Sequence, residues 1–165
     1  MNVLRSAFVS LASFVLLVSC GPPSSPGPAV SGSPVDEASG TGSRDFGDYV
    51  LHYNALSTDQ LPPQVAKGYG IVRSKNRALL NISIIKKVEG TPGTPVPGSV
   101  SAHATNLTGQ LKNLTLRQVT DGDAVYYIGE LSVANGETLM FDVSATPLNE
   151  SSRFNVKFKR QFFTD

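Results

Sequence analysis

Hydrophobic and polar residues alternate with a period of two through most of the chain after Phe46, the pattern of strands that bury one face. Tyr49, Leu51 and Tyr53 share one face of a first segment, and Ala78, Leu80, Ile82 and Ile84 share one face of Arg77 to Val88. Val100, Ala102 and Ala104 follow, then Leu114 and Leu116, then Val125, Tyr127, Leu131 and Val133. Leu139, Phe141, Val143 and Ala145 precede a last segment in which Phe154, Val156, Phe158 and Phe162 alternate with polar residues. The pattern predicts about seven to eight strands. Asp121-Gly122-Asp123 and Asn135-Gly136-Glu137 place glycine where a turn needs positive φ, and Asn149 to Ser152 is a polar link, so consecutive strands are expected to run antiparallel. Gly90 to Gly98, with Pro92, Pro95 and Pro97, reads as an irregular crossing between two sheets. Pro62 to Lys67 is the one helical candidate, opened by Pro62-Pro63 and closed by Gly68. With no long amphipathic helix to cover a sheet, the expected fold is all-β, an antiparallel immunoglobulin-like β-sandwich with one short helical turn. The segments lack the lipid-facing apolar band of a transmembrane barrel.

The amino terminus breaks this pattern. One positive charge at Arg5 precedes an apolar run from Ala7 to Val18, too short to span a bilayer and followed by small residues, as in a secretory signal peptide. Leu17-Val18-Ser19-Cys20 resembles a lipobox, the cleavage site of bacterial lipoprotein signal peptides, which implies that Cys20 becomes the mature N-terminus and carries the lipid. Several acyl chains hold a membrane far more firmly than one, since each buried methylene contributes about 0.8 kcal/mol. Gly21 after the cysteine, in place of Asp, implies by the same resemblance the outer rather than the inner membrane. From Cys20 to Arg44 the chain is dominated by Pro, Gly and Ser with no aromatic residue, a composition that buries too little to offset its ordering entropy. The domain plan is therefore a signal peptide over 1–19, a tether over 20–44 and a folded domain over 45–165, working on the periplasmic side close to its membrane.

Composition narrows the function classes. The chain has 165 residues with 14 Lys+Arg against 13 Asp+Glu, so bulk charge gives no argument for nucleic acid. A single cysteine removes disulfide frameworks and multi-cysteine metal sites, and its acylation would leave no thiol for catalysis.

Particular stretches carry a resemblance to a known family. Phe46-Gly47-Asp48-Tyr49 with His52-Tyr53-Asn54, Leu61-Pro62-Pro63, Val65-Ala66, and Tyr69-Gly70-Ile71-Val72-Arg73-Ser74-Lys75-Asn76-Arg77 are four of them. Asn106 to Leu111 and the ending Gln161-Phe162-Phe163-Thr164-Asp165 complete the set. Together they resemble the bacterial family catalogued as domain of unknown function 4426, across essentially all of Phe46 to Asp165. The resemblance implies a small secreted β-domain of Gram-negative bacteria and implies no activity; the lipobox and tether lie outside it.

Candidate chemistry is sparse. His52 and His103 fall in separate strands without an i, i+4 partner or a cysteine at ligand spacing, which leaves no metal motif and no expected cofactor. Neither a Gly-x-Ser-x-Gly elbow nor a Ser-x-x-Lys motif occurs, although a triad assembled in space through either histidine stays open. Asp121-x-Asp123 lacks the later ligands of a calcium loop and reads as a turn. Four Asn-x-Ser/Thr sequons, at Asn81, Asn106, Asn113 and Asn149, read as strand composition in a bacterial chain. The most unusual stretch is Tyr69 to Arg77. If extended, it puts Tyr69, Ile71, Arg73, Lys75 and Arg77 on one face, a row of cations that either guards a sheet edge or meets an anionic envelope partner. The expected function is a lipid-anchored, non-catalytic binding or accessory module of the cell envelope. Candidate contacts are Tyr69, Arg73, Lys75 and Arg77; the alternative is a small-ligand-binding or hydrolytic domain with its site at the loop ends of the sandwich.

Overall fold

The computed structural model describes residues 36–37 and 40–165. The expected signal peptide, Cys20 and the tether up to residue 35 lie outside the described residues. Eleven strands occur among them: β1 (Asp36–Glu37), β2 (Thr41–Asp45), β3 (Tyr49–Ser57), β4 (Arg77–Lys86), β5 (Thr94–Val96), β6 (Gly98–Asn106), β7 (Leu111–Lys112), β8 (Arg117–Asp121), β9 (Ala124–Ser132), β10 (Thr138–Pro147) and β11 (Phe154–Gln161). One helix, α1 (Pro63–Gly68), follows a 3-10 turn over Thr58–Gln60.

The strands form two sheets. The first runs β1-β11-β10-β6-β7, and the second runs β2-β3-β4-β9-β8 with β5 also pairing β4. All pairs are antiparallel except β1 with β11. The period-two pattern sets the core because alternate side chains point to opposite faces. Leu51, Leu80, Ile82 and Ile84 of the second sheet meet Phe141, Val143, Val156 and Phe158 of the first, all buried. Tyr53 stacks across the sandwich on Phe158 with ring centroids 4.4 Å apart, and Phe158 stacks on its cross-strand neighbour Phe141 at 5.0 Å. Phe46, just after β2, seals one end by stacking on Phe154 at 4.6 Å.

The sandwich expected from the sequence is therefore present, with several differences in detail. Five strands of two to five residues, β1, β2, β5, β7 and β8, carry no run of alternating apolar residues, so the strand total exceeds seven to eight. The boundary expected at residue 45 falls at the end of β2, whose residues from Thr41 pair with β3 up to Asn54. Leu114 and Leu116 are not in a strand. They fold over Gly129, where a Cβ would come within 2.7 Å of Leu114 and 2.8 Å of Leu116. The Asn135–Glu137 turn carries the chain from β9 in one sheet to β10 in the other instead of pairing those strands, while Gly122 (φ 58°) does close the β8–β9 hairpin. The Gly90–Gly98 segment crosses between sheets as expected, after contributing β5 to the edge of β4.

Candidate functional site

Between β3 and β4 the chain leaves the second sheet and folds back over that sheet's outer face. Pro63 at the first helical position pre-sets φ for α1, which ends at Gly68 as expected, while the left-handed residue that turns the chain away is Gly70 (φ 64°), two residues further on. Thr58 fastens the return path. Its fully buried Oγ1 accepts from the Ser74 amide at 2.9 Å and lies 2.9 Å from the Val72 carbonyl oxygen and 3.0 Å from that of Ser74. Ala66 and Ile71 thereby press on Leu79 of β4 and Ile128 of β9, forming a second apolar cluster outside the main core. Leu79 and Ile128 sit at the parity that faces outward, yet only 4% and 3% of their surfaces are exposed. The signal in the sequence was the unbroken Ala78-Leu79-Leu80 run, where a strand with one wet face would carry a polar residue in the middle.

The cap does not cover the whole face. A groove of about 240 Å3 remains, with Leu79 and Ile128 as its floor and Leu56, Leu61, Val65, Tyr69 and Tyr126 around it. Asn54 and Asn81, direct cross-strand partners, close its polar end. Asn54 Oδ1 accepts from Thr41 Oγ1 at 2.6 Å. Asn81 Oδ1 is buried and has no hydrogen-bond donor among the described residues. The same two amides border a shallower depression of about 190 Å3 that reaches His52 and Ser83.

Tyr69 forms one wall of this groove and is held at both ends. Its hydroxyl donates to Asp121 Oδ2 at 2.8 Å, and its carbonyl accepts from Arg117 Nη2. The bond to the Asp121 carboxylate, then burial, raises the Tyr69 phenol above its ordinary value, since ionisation would forfeit that bond and set two anions together.

Of the residues singled out from the sequence, Tyr69 lies at the groove and the cations do not form a row with it. Residues 71–76 are irregular and turned, so Arg73, Lys75 and Arg77 diverge. Arg73 Nη2 donates to the Asp59 carbonyl at 2.6 Å, Lys75 Nζ to the backbone oxygen of Asp165, and Arg77 pairs with Glu130 at 3.1 Å. The physical reason is local: Thr58 binds the backbone of residues 72 and 74, which prevents that stretch from extending as an edge strand. His52 and His103 are exposed on the outer faces of different sheets. Among the described residues no group of three or more His, Cys, Asp or Glu side chains converges on a shared point.

A two-sheet sandwich with a helical cap and a half-open apolar groove defines a β-domain whose built feature is a recessed surface. The chain belongs to the family described as domain of unknown function (DUF4426), whose model matches residues 43–165. It is similar to a DUF4426 family protein from Pseudomonas aeruginosa of solved structure, with 30% identity, a TM-score of 0.64, and coverage of 76% of this chain and 97% of that one. FetP of uropathogenic Escherichia coli, recombinantly expressed in the periplasm, shares the fold at 16% identity with a TM-score of 0.52, covering 74% of this chain and 93% of FetP. A copper-bound variant of FetP matches at 15% identity and a TM-score of 0.54, covering 76% and 97%. Among functionally curated proteins none matches the chain.

Proposed function

We propose that this protein is exported, anchored to the outer membrane through lipid on Cys20, and serves on the periplasmic side as a non-catalytic binding module of the cell envelope. The observation that carries the reading is the groove beneath α1. Protein interiors are close-packed, and a sandwich needs no recess on its outer face; here the cap segment builds one, with apolar walls and a polar end. The apolar run from Ala7 to Val18, closed by Leu17-Val18-Ser19-Cys20, supports export. Arg73 and Lys75, both exposed, belong to the same proposal as single contacts to an anionic partner, whereas Glu130 already compensates Arg77.

Copper, bound by the FetP variant, is a second reading that the residues present do not fit. A copper site needs imidazole, thioether or thiolate groups brought together; His52 and His103 stand on the outer faces of different sheets, and beside His103 the register places one thioether, Met140, and Asp142, whose carboxylate pairs with Lys157. The groove reading is tested by cross-linking in intact cells followed by pull-down, comparing wild type with Val65→Glu. Val65 is 38% exposed at the groove rim, so a charge there leaves the core intact. Loss of the wild-type adducts with an unchanged melting temperature is the expected result; identical adducts from both proteins would refute it.

A further inference from the structure

Five of the eight large apolar side chains that the described residues expose lie on one face, the outer face of the first sheet: Leu107, Leu111, Met140, Leu148 and Phe163, between 44% and 71% exposed. The register fixes this placement. Met140 lies opposite Thr105 and Thr105 opposite Leu111, so all three point away from the core that their neighbours Phe141 and Ala104 enter. Leu148 extends the β6–β10 ladder by one step, its amide donating to the Pro97 carbonyl at 2.9 Å, and falls at the outward parity of Ser144 and Thr146. Phe163 follows buried Phe162, whose amide continues the β10–β11 ladder to the Glu137 carbonyl, and so shares the parity of Gln161. Leu107 leans over Thr138, Lys159 and Gln161 around a shallow hollow of about 330 Å3. Between the apolar groups stand mostly hydroxyls, and the carboxylate of Asp142 is paired with Lys157 at 2.7 Å. The cap segment with α1 covers the second sheet and leaves this face open.

Exposed apolar surface collected on one face marks a contact surface. Where the chain from Cys20 joins the domain says what that surface meets. β1 pairs with the middle of β11, at the edge of this same sheet, and only the sixteen residues 20–35 separate it from Cys20. Fully extended they span at most about 55 Å, so a lipid on Cys20 keeps this edge near the bilayer. The apolar groups also stand singly across the face and build no recess. Separate side chains can each enter a fluid lipid boundary, whereas a folded partner would need a matching contour. We propose that the outer face of the first sheet lies on the bilayer that carries the Cys20 lipid, with its exposed apolar side chains in the headgroup–acyl boundary and its hydroxyls among the headgroups. The contact can be weak by itself, because the covalent lipid makes it an intramolecular event at high effective concentration. The groove beneath α1, on the outer face of the other sheet, then stays open to the periplasm. This inference rests on the Cys20 anchor and adds which face meets the lipid.

The chain has no tryptophan and one cysteine, so Phe163→Trp, Leu111→Trp and Val72→Trp each supply a single reporter. Val72 is equally exposed but belongs to the segment folded over the second sheet. The mature chain is coupled through the Cys20 thiol to a maleimide lipid in vesicles of phosphatidylethanolamine and phosphatidylglycerol, with or without acyl-brominated phosphatidylcholine. Tryptophan at 163 and at 111 should emit further to the blue and lose about twofold in intensity with brominated chains, since interfacial side chains reach about 5–10 Å into that boundary. Tryptophan at 72 should do neither. Leu107→Glu with Met140→Glu should abolish the quenching at 163 without lowering the melting temperature, because both side chains are already exposed. Equal quenching at all three positions, or none at 163 and 111, would overturn the inference. A blue shift at 163 that grows with protein concentration in lipid-free solution would give the face to a second copy and overturn it too. Because the lipid is attached chemically, neither failure touches the cellular anchor, which fractionation of Cys20→Ala decides separately.

Discussion

The Tyr127 hydroxyl grips both backbone polar groups of Gly98: it accepts from the Gly98 amide at 2.7 Å and donates to the Gly98 carbonyl at 2.8 Å. Gly98 begins β6, where the chain crosses from one sheet to the other, and lies opposite Pro147, which has no N–H to contribute to a ladder. A phenol from β9 therefore satisfies the crossing. Tyr127→Phe removes only the oxygen and should cost about 1–3 kcal/mol, since it leaves a half-buried donor and acceptor open. Gly98→Ala should be as damaging for a different reason: a Cβ would lie 2.4 Å from the Thr146 carbonyl oxygen. Denaturant unfolding measures both, and a loss under about 0.5 kcal/mol for Tyr127→Phe would contradict the assignment.

The β9–β10 crossing is held by charge. Glu137 pairs with Lys112 of β7 at 2.7 Å and accepts from the Ala134 amide at 2.9 Å. Burial alone would push its carboxyl up, but the Lys112 ammonium and the Ala134 amide outweigh it and hold the group below its ordinary 4.5. A carboxyl depressed in the folded state contributes stability that is complete above its unfolded value and lost as pH falls through the folded one. Glu137→Gln should therefore be less stable than wild type at pH 7, and the difference should shrink as pH falls below about 4.5. Urea melts at pH 7 and pH 3 check it; a difference that grows on acidification has the wrong sign.

Thr58 fastens the cap. Thr58→Val keeps the shape and removes the hydroxyl, leaving the Ser74 amide without its acceptor, and should cost about 1–3 kcal/mol. Hydrogen exchange at Ser74 should accelerate well beyond that of Phe141 in the core. Equal protection of Ser74 in the two proteins would show that the hydroxyl does not hold the segment.

The proposed anchor sets a fractionation outcome. Wild type should remain with outer membranes, whereas Cys20→Ala should persist as an uncleaved precursor or be released in soluble form. Normal mature size with unchanged outer-membrane fractionation in the variant would remove the lipid from the account.

Alternation made the inner faces of β3, β4, β10 and β11 readable, because one strand's own residues decide which side is buried. The candidate site was hardly readable. Leu79 and Ile128 face outward and are covered by Ala66 and Ile71, whose position depends on a hydroxyl at Thr58 bonding a backbone that lies 14 and 16 residues further on. Period-two reading also extended Tyr69–Arg77 into a strand, since that rule has no term for such a staple; only Tyr69 kept a place at the site. Asn81 passed as one more polar strand residue, and its open acceptor became visible only with Asn54 opposite it and α1 above.

The most direct measurement of the central claim is photo-cross-linking in living cells from a reactive residue placed at position 65, on the rim of the groove, against the same residue at position 101, exposed on the outer face of the other sheet. The account predicts a discrete protein adduct from position 65 and none from position 101. Adducts of equal yield from both positions, or from position 101 alone, would contradict it.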